Sequence, residues 1–416
     1  SWDAVVTEDS PATLIRQQSV QASILVALLV LGHPTIYRRV SEPRVVKAVA
    51  SLRSPTLNAH DAAVEHRGYY EKLDRAGRLD AQLWRASSTM RPADWVALEA
   101  SPLYEKRSDF LGGELRPSMQ HRLNGKLITT NRWRMRDREY ALAKPHDTYR
   151  IAVLGPSFVM GSSVSDDETF ESILEKRLNA ESVNGTSYEV LNFGVGNYSL
   201  LQQVTMLTDR VWEFEPDAVV VTMTHRRFLV DRIVSHLSRA VTSNIAIPDP
   251  DIRDLVQNAN VTEVQPTGVV LAGKQLLWAV ARKLGATREM LESSTERHIR
   301  SLADRIVTLA LQRVAREAQE HRVIPILMGL DNVSAAITKE LPGQRAAEDA
   351  GFVVLNLFDV YDGETPSNVR AAEWDSHPNP YGHRLIAHRL FAELARRAST
   401  LRLNLSSNQH VAQATR

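Results

Sequence analysis

From residue 148 onward the chain alternates short, almost purely apolar runs with amphipathic stretches, and this alternation narrows the choice of fold more than any other feature. Residues 149–154, 188–192, 218–223, 323–328 and 352–357 each have the length and apolar character of a strand. Residues 170–178, 200–214, 300–319 and 384–397 carry helical spacing instead, with Leu302, Ile306, Leu309 and Ala310 on one stripe. Strands without a polar face, separated by helices, predict a parallel sheet covered on both sides. Residues 229 to about 295 separate the third strand from the fourth. They are expected to be an insertion overhanging the carboxyl edge of the sheet as a lid or partner-binding element.

The chain's 416 residues are enough for two or three domains. With 43% hydrophobic and 24% charged residues, it can bury a sizeable core. A net charge of +1 argues against a nucleic-acid partner, which favours a basic excess. The absence of cysteine removes disulfides, thiolate metal sites and a cysteine nucleophile. No metal or cofactor motif stands out.

Four regions are expected. Residues 1–40 form a tail and a single membrane anchor, 41–115 a helical linker region, 116–400 the α/β domain and 401–416 a carboxyl-terminal tail. The anchor rests on residues 17–37, a span without Asp, Glu, Lys or Arg that would reach about 30 Å as a helix. Helical amphipathicity in the linker is clearest at residues 45–52 and 62–79. Residues 116–150 hold nine Lys or Arg against three Asp or Glu. A solvated basic surface accounts for that excess, as does a docking face for an anionic partner.

Open parallel sheets bind ligands beyond the carboxyl ends of their strands. The first strand is followed by Gly155-Pro156-Ser157, the second by Gly194-Val195-Gly196 and the third by His225-Arg226-Arg227. Asp375-Ser376-His377 precedes the last helix. A serine at a strand-to-helix turn, a histidine to take its proton and an aspartate to orient that histidine are what nucleophilic acyl transfer requires. Backbone N–H groups of Ser157 and Gly196 are candidates to hold the oxyanion. Each residue also has a plainer role: Ser157 as a helix cap, the glycines as turn formers, Asp375 and His377 as loop caps, and His225 and Arg226 as a salt-bridged surface cluster.

The blocks Arg150-Ile-Ala-Val-Leu-Gly-Pro-Ser157, Asp167-Glu-Thr-Phe170, Val190-Leu-Asn-Phe-Gly-Val-Gly196 and Asp375-Ser-His377-Pro-Asn-Pro-Tyr-Gly-His383, taken in order, resemble the SGNH (GDSL-type) hydrolase superfamily. So does the approach Thr130-Asn131 to Arg136-Asp137-Arg138-Glu139-Tyr140, as in bacterial envelope members. The resemblance covers about residues 115–395 without the insertion. It implies a flavodoxin-like three-layer αβα domain with a parallel sheet, and ester hydrolysis or acyl transfer without a metal. Residue by residue it implies Ser157 as nucleophile, His377 as base, Asp375 as acid and Gly196 as an oxyanion donor. Two blocks depart from the pattern. Pro156 stands where aspartate is usual, which is expected to alter the turn. The third block lacks its asparagine, leaving His225 and Arg226 as substitute oxyanion donors.

Two functions are implied. One is a membrane-tethered serine esterase or acyl-transfer enzyme acting on an acylated sugar, polysaccharide or lipid. The other is a catalytically impaired SGNH-like scaffold or accessory subunit of a membrane protein complex. Arg38, Arg39, Arg44, Lys47 and Arg53 after the anchor would hold the body in the cytoplasm, whereas the resemblance implies the periplasmic face of a bacterial inner membrane. The periplasmic placement is the expectation adopted, with the membrane, an acylated glycan or lipid substrate and membrane proteins as partners.

Overall fold

The computed structural model describes residue 92 and residues 94–257, 294–333 and 339–406. The expected anchor at 17–37 and the helices at 45–52 and 62–79 lie outside the described residues. Among the described residues, no helix is long and apolar enough to cross a membrane. Two compact units divide the chain: residues 96–261 with 298–416, and residues 1–95 with 262–297. The former unit carries the α/β domain.

The strands are β1 (Tyr104–Lys106), β2 (Gly113–Leu115), β3 (Gln120–Leu123), β4 (Lys126–Thr129), β5 (Thr148–Leu154), β6 (Ser187–Asn192), β7 (Ala218–Met223), β8 (Ile324–Gly329), β9 (Val353–Asn356), β10 (Arg370–Ala372) and β11 (Asp375–Pro378). The helices are α1 (Ser157–Met160), α2 (Phe170–Ala180), α3 (Leu200–Asp209), α4 (Arg226–Thr242), α5 (Pro250–Gln257), α6 (Ser294–Ser301), α7 (Ala303–His321), α8 (Gln344–Asp349), α9 (Pro366–Val369) and α10 (Pro380–Arg396). The central sheet has the order β6-β5-β7-β8-β9, and every pairing is parallel. That order is the flavodoxin-like one, with its switch point beside β5.

Each strand feeds both layers because alternate side chains point to opposite faces. Ala152, Leu154, Val219, Val221 and Leu327 pack with α3, α4, α5 and α7. Ile151, Val153, Val220, Ile326 and Met328 pack with α2 and α10. The three-layer αβα expectation is met, and all five sheet strands fall where the apolar runs put them.

Several expectations need correction. The helix expected over 200–214 ends at Asp209 and continues as a single 3-10 turn, Val211–Phe214. In the linker, the described residues from Tyr104 form an antiparallel hairpin, β1 with β2, rather than a helix. The first part of the expected insertion does not overhang the sheet. Helix α4 buries Leu229, Ile233, Val234 and Leu237, and α5 buries Ile252 and Val256, all within the core of one face. The remainder, 258–293, lies outside the described residues.

Residues 401–406 are not a loose tail either. The Tyr149 hydroxyl donates to the Leu401 carbonyl at 2.5 Å, and the Asn404 N–H donates to the Tyr188 hydroxyl at 2.7 Å.

Candidate active site

Strand β5 leads through Gly155 and Pro156 into α1, a single turn opened by Ser157. Pro156 caps this turn at φ −83°, ψ −157°, and its carbonyl accepts from the N–H groups of Val159 and Met160 at 3.0 Å each. That φ lies just beyond the range proline prefers, and the turn forms with Pro156 in place. Arg136, 1% exposed, ties down the other end of α1. Its guanidinium donates to the carbonyls of Met160 (3.2 Å), Gly161 and Val164 (2.6 Å). Met160 closes the helix and leaves its carbonyl unpaired there, and Gly161 and Val164 belong to the turn that follows.

The last block lies on β11. His377 Nε2 is 2.7 Å from Ser157 Oγ, and His377 Nδ1 is 2.6 Å from Asp375 Oδ1. The two-residue spacing also lets the His377 backbone N–H donate to that same oxygen at 3.1 Å. The other carboxylate oxygen, Oδ2, accepts from the Ser163 hydroxyl at 2.6 Å. Burial pushes the Asp375 carboxyl up, but the bonds from His377 and Ser163 outweigh it and hold its pKa below the usual carboxylate value. An ionised Asp375 fixes the proton on Nδ1 and turns the Nε2 lone pair toward the serine.

The loop after β6 supplies the second block. Gly194 lies so close to α1 that an added Cβ would stand 2.4 Å from the Met160 nitrogen. Asn192 holds this contact: its Nδ2 donates to the Val159 carbonyl at 3.1 Å, and its Oδ1 accepts from the Gly194 N–H at 2.9 Å. Gly196 is buried on the same loop, and its N–H has no hydrogen-bond acceptor among the described residues. The Ser157 N–H, first in α1, likewise has no acceptor within its helix. These are the donors an oxyanion needs.

The third-block residues are held differently from expectation. Arg226 makes a bidentate pair with Asp304, 2.7 Å on each arm, and both side chains are mostly exposed. As the first residue of α4, it reaches toward α7, so a role as oxyanion donor is not what its contacts describe. His225 is bonded to Asp331, on the loop after β8.

The basic approach segment is part surface and part interior: Arg116, Arg122, Arg132 and Arg138 are exposed, whereas others are drawn into ion pairs or buried. Arg134 pairs with Glu105 and Glu114, Arg132 with Glu139, and Arg138 with Glu175, while Arg136 is internal. Glu114, 1% exposed, is shared by Arg107, Arg134 and Arg210. Sequence reasoning does not reach Ser163, Asp331 or the support given by Arg136 and Asn192. Ser163 carries no motif, and its left-handed φ of 72° emerges only with the fold. Among the described residues, no group of three His, Asp or Glu side chains is placed to hold a metal ion.

No model of a known protein family matches this chain, and no curated protein does. Among solved structures it is similar to a two-domain esterase (CEX) active on acetylated mannans, co-crystallised with mannopentaose. That match has 13% identity, covers 60% of this chain and 49% of the other, and has a TM-score of 0.34. It is also similar to TesA, with 13% identity, 59% and 97% coverage and a TM-score of 0.30. A third is a mutant of Axe2, an acetyl-xylooligosaccharide esterase from Geobacillus Stearmophilus, with 12% identity, 59% and 94% coverage and a TM-score of 0.34. The chain thus spans about half the length of the two-domain esterase. SGNH/GDSL-type esterases are among the structures it resembles.

Proposed function

We propose that this chain is a serine esterase of SGNH type, using Ser157 as nucleophile, His377 as general base and Asp375 as the residue that orients it. The observation that carries this reading is the unbroken line Ser157 Oγ–His377 Nε2–His377 Nδ1–Asp375 Oδ1, with links of 2.7 and 2.6 Å. In the first half-reaction Nε2 takes the hydroxyl proton as Oγ attacks the ester carbonyl carbon. The oxyanion draws on the N–H groups of Ser157 and Gly196. His377 then passes the proton to the departing alkoxide, leaving an acyl-serine. In the second half, His377 takes a proton from water, or from an alcohol if the enzyme transfers acyl groups, as that oxygen bonds to the acyl carbon, and returns the proton to Oγ as the acyl–serine bond breaks.

The substrate we assign is an acylated sugar, polysaccharide or lipid, consistent with the block pattern of the sequence. Tethering through residues 17–37 belongs to the same proposal and is supported by the uncharged span alone, while placement of this domain in the periplasm rests on the family resemblance and runs against the basic residues that follow the span. A carboxyl-terminal reporter fusion read on both sides of the membrane tests the placement.

The esterase reading is tested by comparing wild type with Ser157→Ala in p-nitrophenyl acetate turnover and fluorophosphonate labelling. Labelling confined to the wild type, with turnover lost in the variant, is the expected result. An unlabelled wild type that purifies with stoichiometric partners would favour the scaffold reading instead.

A further inference from the structure

The molecule holds a second histidine–aspartate pair built like the first. His377 offers its backbone N–H and its ring Nδ1 to one oxygen of Asp375. His225 likewise offers its backbone N–H, at 2.8 Å, and its ring Nδ1 to one oxygen of Asp331. The other Asp331 oxygen accepts from the Asn332 N–H at 2.7 Å. Exposure matches as well: the His377 and Asp375 side chains are 26% and 10% exposed, those of His225 and Asp331 28% and 5%.

Contacts on two sides tie His225 to the loops that carry the serine site. On one side, the Val333 N–H, two residues beyond Asp331, donates to the Ser376 carbonyl at 2.8 Å, between the two members of the first pair. On the other side, the His225 ring stacks on Phe228, with centroids 6.2 Å apart. Phe228 in turn carries the Arg232 guanidinium at 4.6 Å, which donates to Asn197 Oδ1 at 2.6 Å, next to Gly196. β7, which ends just before His225, is also paired directly with β5, which ends just before Ser157.

The chemistry of this pair excludes the role its position first suggests. In the tautomer that donates its Nδ1–H to Asp331, Nε2 is the acceptor nitrogen of the ring and presents a lone pair. Nε2 has no hydrogen-bond partner among the described residues. A lone pair cannot donate to an oxyanion, but it can accept from a hydroxyl. We propose that His225, locked by Asp331, is a hydroxyl-binding subsite that selects esters of polyhydroxylated alcohols, such as partly acylated glycans, over esters of simple alcohols. This rests on the serine-esterase reading above. No proton is transferred in this step: the substrate hydroxyl donates a hydrogen bond to Nε2 and keeps its proton, while His377 alone performs the acid–base work.

The test is the ratio of kcat/KM for a methyl glucoside monoacetate to that for ethyl acetate. In His225→Phe, which has no acceptor, the ratio is expected to fall roughly tenfold, the worth of one well-made hydrogen bond. His225→Gln keeps an acceptor and is expected to recover part of the ratio. Thermal unfolding midpoints verify that the variants fold. An unchanged ratio, or an equal loss on both esters as an oxyanion donor would give, overturns the proposal. If the wild type hydrolyses neither ester and Ser157 resists a fluorophosphonate, the esterase reading itself fails. The subsite is then decided by the imidazole nitrogen resonances titrated with methyl glucoside: a saturable shift lost in His225→Phe supports it, and no shift overturns it.

Discussion

The Ser163 hydroxyl donates to Asp375 Oδ2 at 2.6 Å, while His377 takes Oδ1 of the same carboxylate. Asp375 is thereby held at both carboxylate oxygens. Ser163→Gly is expected to lower kcat roughly tenfold with little change in KM, because ring orientation matters most in the transition state. Ser163→Ala should lose the same activity but keep the left-handed backbone strain, so its melting temperature should lie below that of the glycine variant. Steady-state kinetics and thermal melts on the two variants check both statements.

Replacing the acid itself is more severe. Asp375→Asn can present its amide N–H to Nδ1 and favour the wrong tautomer, and a loss in kcat of about a thousandfold or more is expected. A loss below tenfold in the same assay would show that the histidine is oriented by other means.

The two glycines of the second block should part company on substitution. At Gly194 an added Cβ meets the Met160 backbone nitrogen at 2.4 Å, and α1 has nowhere to go without carrying Ser157 with it. Gly194→Ala is expected to cost about 2 kcal/mol or more and most of the activity. At Gly196 the nearest atom, at 2.8 Å, is a Leu98 side-chain carbon that can rotate away. Gly196→Ala should therefore be the milder change in stability. Urea unfolding of the pair measures the difference.

Arg136→Met would leave the carbonyls of Met160, Gly161 and Val164 without their donor in a buried setting. A stability loss of about 3 kcal/mol is expected, from unpaired polar groups rather than from lost charge. Arg136→Lys should rescue little, because one ammonium cannot span the positions that the guanidinium reaches.

Glu171 gives the stability profile a pH signature. Burial first, opposed by bonds from Thr169 and Asn192, pushes its carboxyl from 4.5 up to about 7. Both of those bonds end on Oε1, which leaves Oε2 free to carry the proton. A carboxyl with a raised folded pKa contributes stability that is fully present below 4.5 and is lost as pH rises through about 7. Between pH 5 and 8 the domain should lose on the order of 2 kcal/mol from this group. Glu171→Gln, which mimics the neutral acid, should flatten the curve in denaturant titrations across that range.

The five sheet strands and the Ser157, Asp375 and His377 constellation were legible because each is a local signal: an apolar run, or a short block at a strand end. What escaped depended on residues far apart in the chain. Arg134 and Arg136 read as surface because the groups that engage them, Glu114 and the carbonyls of Met160, Gly161 and Val164, stand at least 20 residues away in other elements. Helix α4 read as part of an overhang because its apolar stripe says that it packs, not where. In the sequence His225 marks only a missing asparagine. Its meaning comes from Asp331, which carries no motif and is 106 residues distant.

The anchoring of residues 401–406 has a practical consequence. Leu401 and Asn404 are fastened to Tyr149 and Tyr188, near the starts of β5 and β6, whereas Ser157 stands past the finish of β5. Cargo fused behind Ser406 therefore departs from the end of the sheet away from the serine, and a bead or surface coupled there should leave Ser157 on the far side of the domain.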